Sequence, residues 1–330
     1  MTKIDIISGF LGAGKTTLIK KLLEEKAFTE DKLVLIENEF GEVGIDGAIL
    51  KGYGINIKEM NSGCICCTIA GDFNKALKEM MKRYRPDRII IEPSGVGKLS
   101  DVIKGCRQFA QDKTVSVNIC ITVVDGMKYK MYMKNFTEFY SDQLIHAKTI
   151  ILSRTQFMKP EELGFIIDDI RKYNKSAPLV ITAWELLAGK EIIGLSENTE
   201  QYSLESNVWN EFKLLGKASE RSYRIADKRI SGYIQKRHNH ADDVFTVWSK
   251  ETAAIFDDRR LKEALNNLDK SGGHVLRAKG IVRTDRNRWV QFDYVPGEYS
   301  IKEAAADFSG RICVIGEQIS DRELQGLFGL

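Results

Sequence analysis

Between Met1 and about Ala188, short apolar runs alternate with segments whose apolar residues recur at helical spacing. Residues 4–7, 33–36, 88–91, 115–124, 150–152 and 179–182 read as strands. Their nearly unbroken apolar character is what strands covered on both faces of a parallel sheet require. Leu18, Leu22 and Leu23 give the first intervening segment an apolar stripe, and Ile69, Phe73, Leu77, Met80 and Met81 do the same for a later one. The pattern predicts a doubly wound α/β domain over residues 1–190. From Gly189 to Arg237 the alternation gives way to a polar mixture with turn-like clusters, and residues 191–242 read as an irregular connection. Residues 243–330 then predict a strand at 244–248, a helix over 251–268, three strands at 274–282, 289–295 and 311–315, and a closing helix at 321–328. Strands that follow one another closely favour antiparallel pairing, which makes this second unit a small α+β domain.

Composition narrows the class. The chain of 330 residues is 43% apolar and 29% charged, and no apolar run approaches the roughly 18 residues of a membrane span. The first apolar stretch, residues 4–7, is too short for a signal peptide, so a soluble cytoplasmic protein is expected, with no membrane partner. The formal net charge is +3, with basic and acidic residues interspersed, which gives no electrostatic footprint for nucleic acid. Six cysteines in such a chain are expected to be reduced. Cys64, Cys66 and Cys67 sit together, a spacing that suggests metal or redox chemistry, whereas Cys106, Cys120 and Cys313 read as small core residues.

The chemistry concentrates in a few motifs. Gly9-Phe10-Leu11-Gly12-Ala13-Gly14-Lys15-Thr16 follows the first strand and opens the first helix. Gly9, Gly12, Ala13 and Gly14 let backbone N–H groups curl around phosphate oxygens, Lys15 reaches the terminal phosphates, and the Thr16 hydroxyl can ligate Mg²⁺. This is the signature of a P-loop nucleoside triphosphate site. Glu92-Pro93-Ser94-Gly95 ends another strand at the edge where such sheets bind ligands. Glu92 can hold Mg²⁺ through water or orient the attacking water, and Gly95 can offer its N–H to the γ-phosphate. The base-reading position holds Ser153-Arg154-Thr155-Gln156, where guanine-reading sequences carry Asn-Lys-x-Asp. The Gln156 amide offers one acceptor and one donor in place of a carboxylate, so both GTP and ATP stay open here. Cys64, Cys66 and Cys67 precede a helix whose N-terminus favours thiolates, and three soft ligands in four residues can bind one transition metal with a fourth ligand from elsewhere. His238 and His240, beside Asp242 and Asp243, can receive metal weakly; solvated loop residues are the plainer reading.

These motifs in this order resemble those of the CobW-type GTPases, relatives of the accessory proteins that insert nickel into hydrogenase and urease. The likeness rests on residues 9–17 including Thr17, on Ile36-Glu37-Asn38-Glu39-Phe40-Gly41-Glu42, on Cys64-Ile65-Cys66-Cys67 and on Glu92-Pro93-Ser94-Gly95, and residues 244–328 are similar to that family's C-terminal domain. The resemblance implies GTP and Mg²⁺, Zn²⁺ or Co²⁺ at the cysteines, and hydrolysis that times metal delivery to an unidentified metalloprotein client. It makes residues 37–46 a first switch, with Glu37 a fourth metal ligand and Glu42 or Asp46 sensing Mg²⁺ and the γ-phosphate. Two other functions compete: a metal or redox sensor whose nucleotide state gates a protein interaction, and a small-molecule kinase. The kinase reading leaves the three cysteines unexplained.

Overall fold

The computed structural model describes residues 1–28, 31–38, 56–60, 70–110, 114–197, 244–270, 273–285, 288–304 and 309–330. The first unit is built on strands β1 (Thr2–Gly9), β2 (Leu33–Asn38), β3 (Asn56–Met60), β4 (Arg88–Glu92), β5 (Val115–Asp125), β6 (Thr149–Ser153) and β7 (Leu179–Val180). Among the described residues they form a parallel sheet in the order β3-β2-β4-β1-β5-β6-β7. Helices α1 (Lys15–Glu24), α2 (Ala70–Tyr84), α3 (Leu99–Phe109), α4 (Tyr129–Asn135), α5 (Thr137–His146), α6 (Pro160–Tyr173) and α7 (Gly189–Glu197) accompany it.

Strand periodicity assigns each side chain to a face. Ile4, Ile6, Val34, Ile36, Ile89 and Ile91 pack with Phe73, Leu77, Leu99 and Val102 of α2 and α3. Their neighbours Ile7, Leu35 and Ile90 enter the opposite core with Leu18, Ile19 and Leu22 of α1 and Ile192, Ile193 and Leu195 of α7. The parallel sheet is therefore covered on both faces, and the apolar runs are continuous for that reason. Helix α7 lies where the pattern reads as the beginning of an irregular connection. Glu197 at its end joins Lys3, Arg88 and Asn118 at 3.0, 3.1 and 2.9 Å.

The second unit contains β8 (Thr246–Thr252), β9 (Ile255–Phe256), α8 (Asp258–Asn267), β10 (His274–Thr284), β11 (Trp289–Val295), β12 (Glu298–Ala304), β13 (Gly310–Glu317) and α9 (Asp321–Phe328). The sheet runs β12-β11-β10-β13-β8 with antiparallel neighbours, and β9 adds beside β10 in parallel. Helices α8 and α9 cover one face through Leu261, Leu265, Leu324 and Phe328. The expected helix over 251–268 is corrected here. Strand β8 runs on through Thr252, and Asp257 sets the start of α8 by accepting hydrogen bonds from Arg259 N and Arg260 N at 2.8 and 2.9 Å. Strands β3 and β12 join those expected from the pattern.

The two units share a core. Phe245, Leu276, Cys313 and Ile315 of the second pack into the cluster that holds Phe10, Tyr132, Phe136 and Tyr140 of the first. Cys106, Cys120 and Cys313 are buried and free of disulfides. Burial pushes the Cys120 thiol up to about 12 and Cys106 further still, so both are inert packing groups.

Candidate nucleotide site

The carboxyl ends of β2, β4, β1, β5 and β6 lie side by side and bring Glu37, Glu92, Gly9, Asp125 and Ser153 to one edge of the sheet. From Gly9 the chain turns through residues 10–14 into α1, whose start is capped by no side chain and which Leu18, Ile19 and Leu22 anchor in the core. The N-terminal amides of such a helix are anion donors with a favourable dipole behind them.

The loop is held from behind, carbonyl by carbonyl. The Tyr132 hydroxyl donates to Leu11 O at 3.2 Å, Arg154 Nη1 donates to Gly12 O at 3.2 Å, and the Ser153 hydroxyl donates to Ala13 O at 2.8 Å. Fixing three successive carbonyls on one side orients the backbone of the loop so that its remaining amide groups can serve an anion on the other. Gly12 takes the left-handed conformation, φ 69°, and a Cβ there would lie 2.4 Å from Val295 Cγ1.

Lys15 is buried, with Nζ 3.4 Å from Phe10 O. Thr16 donates its hydroxyl to Glu92 Oε1 at 2.8 Å, and Thr17 is exposed on the next position of α1. Glu92 pairs in register with Glu37 on the adjacent strand, and both carboxylates are buried, at 7% and 2% exposure. A hydroxyl and a carboxylate in contact beside a buried lysine form the hard oxygen donor set that suits Mg²⁺. Gly95 lies so close to the phosphate loop that a Cβ on it would be 2.8 Å from Leu11 N. Gln143 on α5 holds that segment by donating from Nε2 to Gly95 O and Gly97 O at 3.0 and 2.9 Å.

Several of these partners were not among the candidates. Asp125 ends β5, binds Arg154, and accepts from Met127 N at 2.9 Å. Burial raises its pKa above the ordinary aspartate value, and the charge of Arg154 works against that rise. Tyr132 and Gln143 act on backbone atoms 121 and 48 residues away, a relation that no local motif carries. Ser153 and Arg154 bond the phosphate loop, with Arg154 in the left-handed region at φ 62°, while Gln156 is exposed in the following turn. Trp184, after β7, is buried against Gly14. Glu42, Asp46, Cys64, Cys66, Cys67, His238 and His240 lie outside the described residues. Among the described residues no group of three or more His, Cys, Asp or Glu side chains is placed to hold a metal ion, and no helix is long and apolar enough to cross a membrane.

Comparison with known proteins agrees with this geometry. Residues 3–181 match the family model described as CobW/HypB/UreG, nucleotide-binding domain, and residues 245–329 match the Cobalamin synthesis protein cobW C-terminal domain. The chain is 32% identical over 308 residues to the zinc chaperone CobW of Sinorhizobium sp, covering 83% of this chain and 79% of that protein. It is 34% identical over 161 residues to the zinc chaperone YeiR of Escherichia coli K12, covering 49% of each. To the zinc chaperone YjiA of the same organism it is 29% identical over 296 residues, covering 86% of this chain and 82% of that one.

Proposed function

Because the chain belongs to the CobW/HypB/UreG family and is a nucleoside triphosphate hydrolase, we propose that it is a metallochaperone that uses GTP hydrolysis to time delivery of a transition metal to a client metalloprotein. The cargo is bound at Cys64, Cys66 and Cys67 with Glu37 as a further ligand, and Zn²⁺ is favoured over Co²⁺ because the relatives with these coverages are named zinc chaperones. The observation that carries the reading is the pairing of Glu37 with Glu92 in neighbouring strands. The proposed metal ligand and the carboxylate of the phosphate edge share one rigid strand register, so a change at one is felt at the other.

The chemistry follows from the residues of the edge. Lys15 neutralises charge on the β and γ phosphates, and the loop amides bind the phosphate oxygens. Thr16 and Glu92 would hold Mg²⁺, which neutralises phosphate charge when bound, and Asp46 is a further candidate in that role. Glu92, with Glu42 as the second candidate, orients the water whose oxygen bonds to the γ-phosphorus as the bond to the β-γ bridging oxygen breaks. Gly95 offers its N–H to the γ-phosphate, and the loop that carries it is positioned by Gln143.

Coupling of the two sites is the test. Metal titration of the reduced protein in its apo, diphosphate-bound and non-hydrolysable triphosphate-bound states is expected to give affinities that differ by at least tenfold, about 1.4 kcal/mol. Nucleotide affinity must shift by the same factor when metal is added. Cys66→Ser with Cys67→Ser abolishes the shift and leaves nucleotide binding intact in the metal-free protein. Equal metal affinity in all three states overturns delivery and favours a sensor whose nucleotide state gates a protein contact.

A further inference from the structure

The turn between β11 and β12 belongs to the second unit, yet it lies on the phosphate loop of the first. Val295, the last residue of β11, is 6% exposed, and its Cγ1 fills the space beside Gly12 where any side chain at position 12 would have to go. Lys128, just before α4, donates its ammonium to Pro296 O at the tip of the turn. Glu298, which opens β12, has its Oε2 3.7 Å from Nη2 of Arg154, the residue whose other nitrogen donates to Gly12 O. Val295 and Glu298 are paired residues across the hairpin, so the apolar contact and the charge contact move as one body.

We propose that Val295 and Glu298 are positioning residues for nucleotide binding: the second unit clamps Gly12 and Arg154 in the phosphate-binding geometry and thereby sets how fast nucleotide leaves. This inference rests on the reading of residues 9–16 as the nucleotide site. The physical argument is steric first. Gly12 has no side chain to restrict its own backbone, and Val295 takes up the free volume that would otherwise let peptide 12 rotate. The Glu298–Arg154 pair is partly exposed, which makes it a weak contact by itself. Its effect is on orientation, since it leaves the Arg154 nitrogen that faces Gly12 O in place. A loop held in the bound geometry before ligand arrives loses less entropy on binding, and that advantage appears mainly in the dissociation rate.

The experiment uses the full chain and a fluorescent analogue of GDP, or of ADP if that is the diphosphate the parent binds, with stopped-flow measurement of release. Val295→Ala combined with Glu298→Ala is expected to speed release fivefold or more and to raise KM for triphosphate by a similar factor, with a smaller change in kcat. Glu298→Lys alone, at an exposed side chain, keeps folding out of the question and is expected to change release in the same direction. Lys302→Ala, exposed further along β12, should not alter release. Release changed less than fivefold in the double variant, or changed equally by Lys302→Ala, overturns the proposal. A parent that binds no nucleotide, or a Lys15→Ala variant that binds it as well as the parent, would instead overturn the site assignment on which the proposal stands.

Discussion

On the proposed mechanism hydrolysis turns on Lys15, the one cation among residues 9–16. Lys15→Ala is expected to lower hydrolysis below one per cent of the parent, on the order of the roughly 10³-fold effects seen when a cation is taken from a phosphoryl-transfer site. Circular dichroism should show an unchanged fold, and turnover within twofold of the parent would remove Lys15 from the mechanism. On the same proposal base choice turns on Gln156. Its carbonyl keeps one acceptor for the guanine edge, worth about 1 kcal/mol against about 2 for a charged acceptor, so GTP should outcompete ATP by a narrow margin. Gln156→Asp should widen that margin roughly fivefold in a competition assay, and an unchanged ratio would place base reading elsewhere. The phosphate-loop residues were legible in the sequence because glycines and a lysine at fixed spacing are required by the local backbone. Asp125, Tyr132 and Gln143 were not, because the contacts they make with the Arg154 side chain, Leu11 O and Gly95 O are brought about only by the fold.

At the scale of elements, strands buried on both sides declared themselves by composition, and so in part did the end strands β7 and β8, whereas the end strands β3 and β12 did not. Strand β3 carries only two strongly apolar residues, Ile57 and Met60, and β12 alternates polar with apolar positions as far as Lys302, with four of its seven residues exposed. An edge strand needs apolar contacts on fewer sides, so its pattern is sparse. Helix α7 was illegible for a related reason: its apolar face is short, and its last residue is held by polar contacts. Burial works against charge on Glu197, but hydrogen bonds from Asn118, Lys3 and Arg88 outweigh it and hold the carboxyl below the ordinary glutamate value. The sign follows from linkage. A carboxyl with a lowered folded value stabilises the fold fully above the ordinary glutamate range, and that contribution is lost as pH falls through the folded value. Asp5, in the same cluster, is raised by burial despite Arg88 and acts in the opposite sense, so the comparison must isolate Glu197. Glu197→Gln should reduce stability at neutral pH, with the gap from the parent closing in acid. A gap of constant size in urea titrations across that range would show that the ionised carboxyl is not the stabilising group.

At the scale of the whole molecule, the two units are joined by packing as well as by chain. The Phe245 ring lies edge-on to Phe139 at 5.2 Å and tilted against Phe136 at 5.5 Å, and it reaches Phe10 of the phosphate loop at 6.4 Å. Phe245→Ala should cost about 3–5 kcal/mol in urea unfolding, as large-to-small changes of buried aromatics do. A loss below about 1 kcal/mol would mean that the cluster closes without this ring.

That shared cluster also sets an order of events during biosynthesis. All described strands and helices of the first unit have been made once Glu197 is synthesised, but Phe245, and then Leu276, Cys313 and Ile315, which pack into the aromatic cluster around Phe10, follow later. At roughly 5–20 residues per second, the ribosome needs about 2–10 seconds to pass from Glu197 to Phe245 and longer to reach Ile315. Over that interval the cluster around Phe10 lacks these four side chains, and apolar surface left uncovered is of the kind that general chaperones capture.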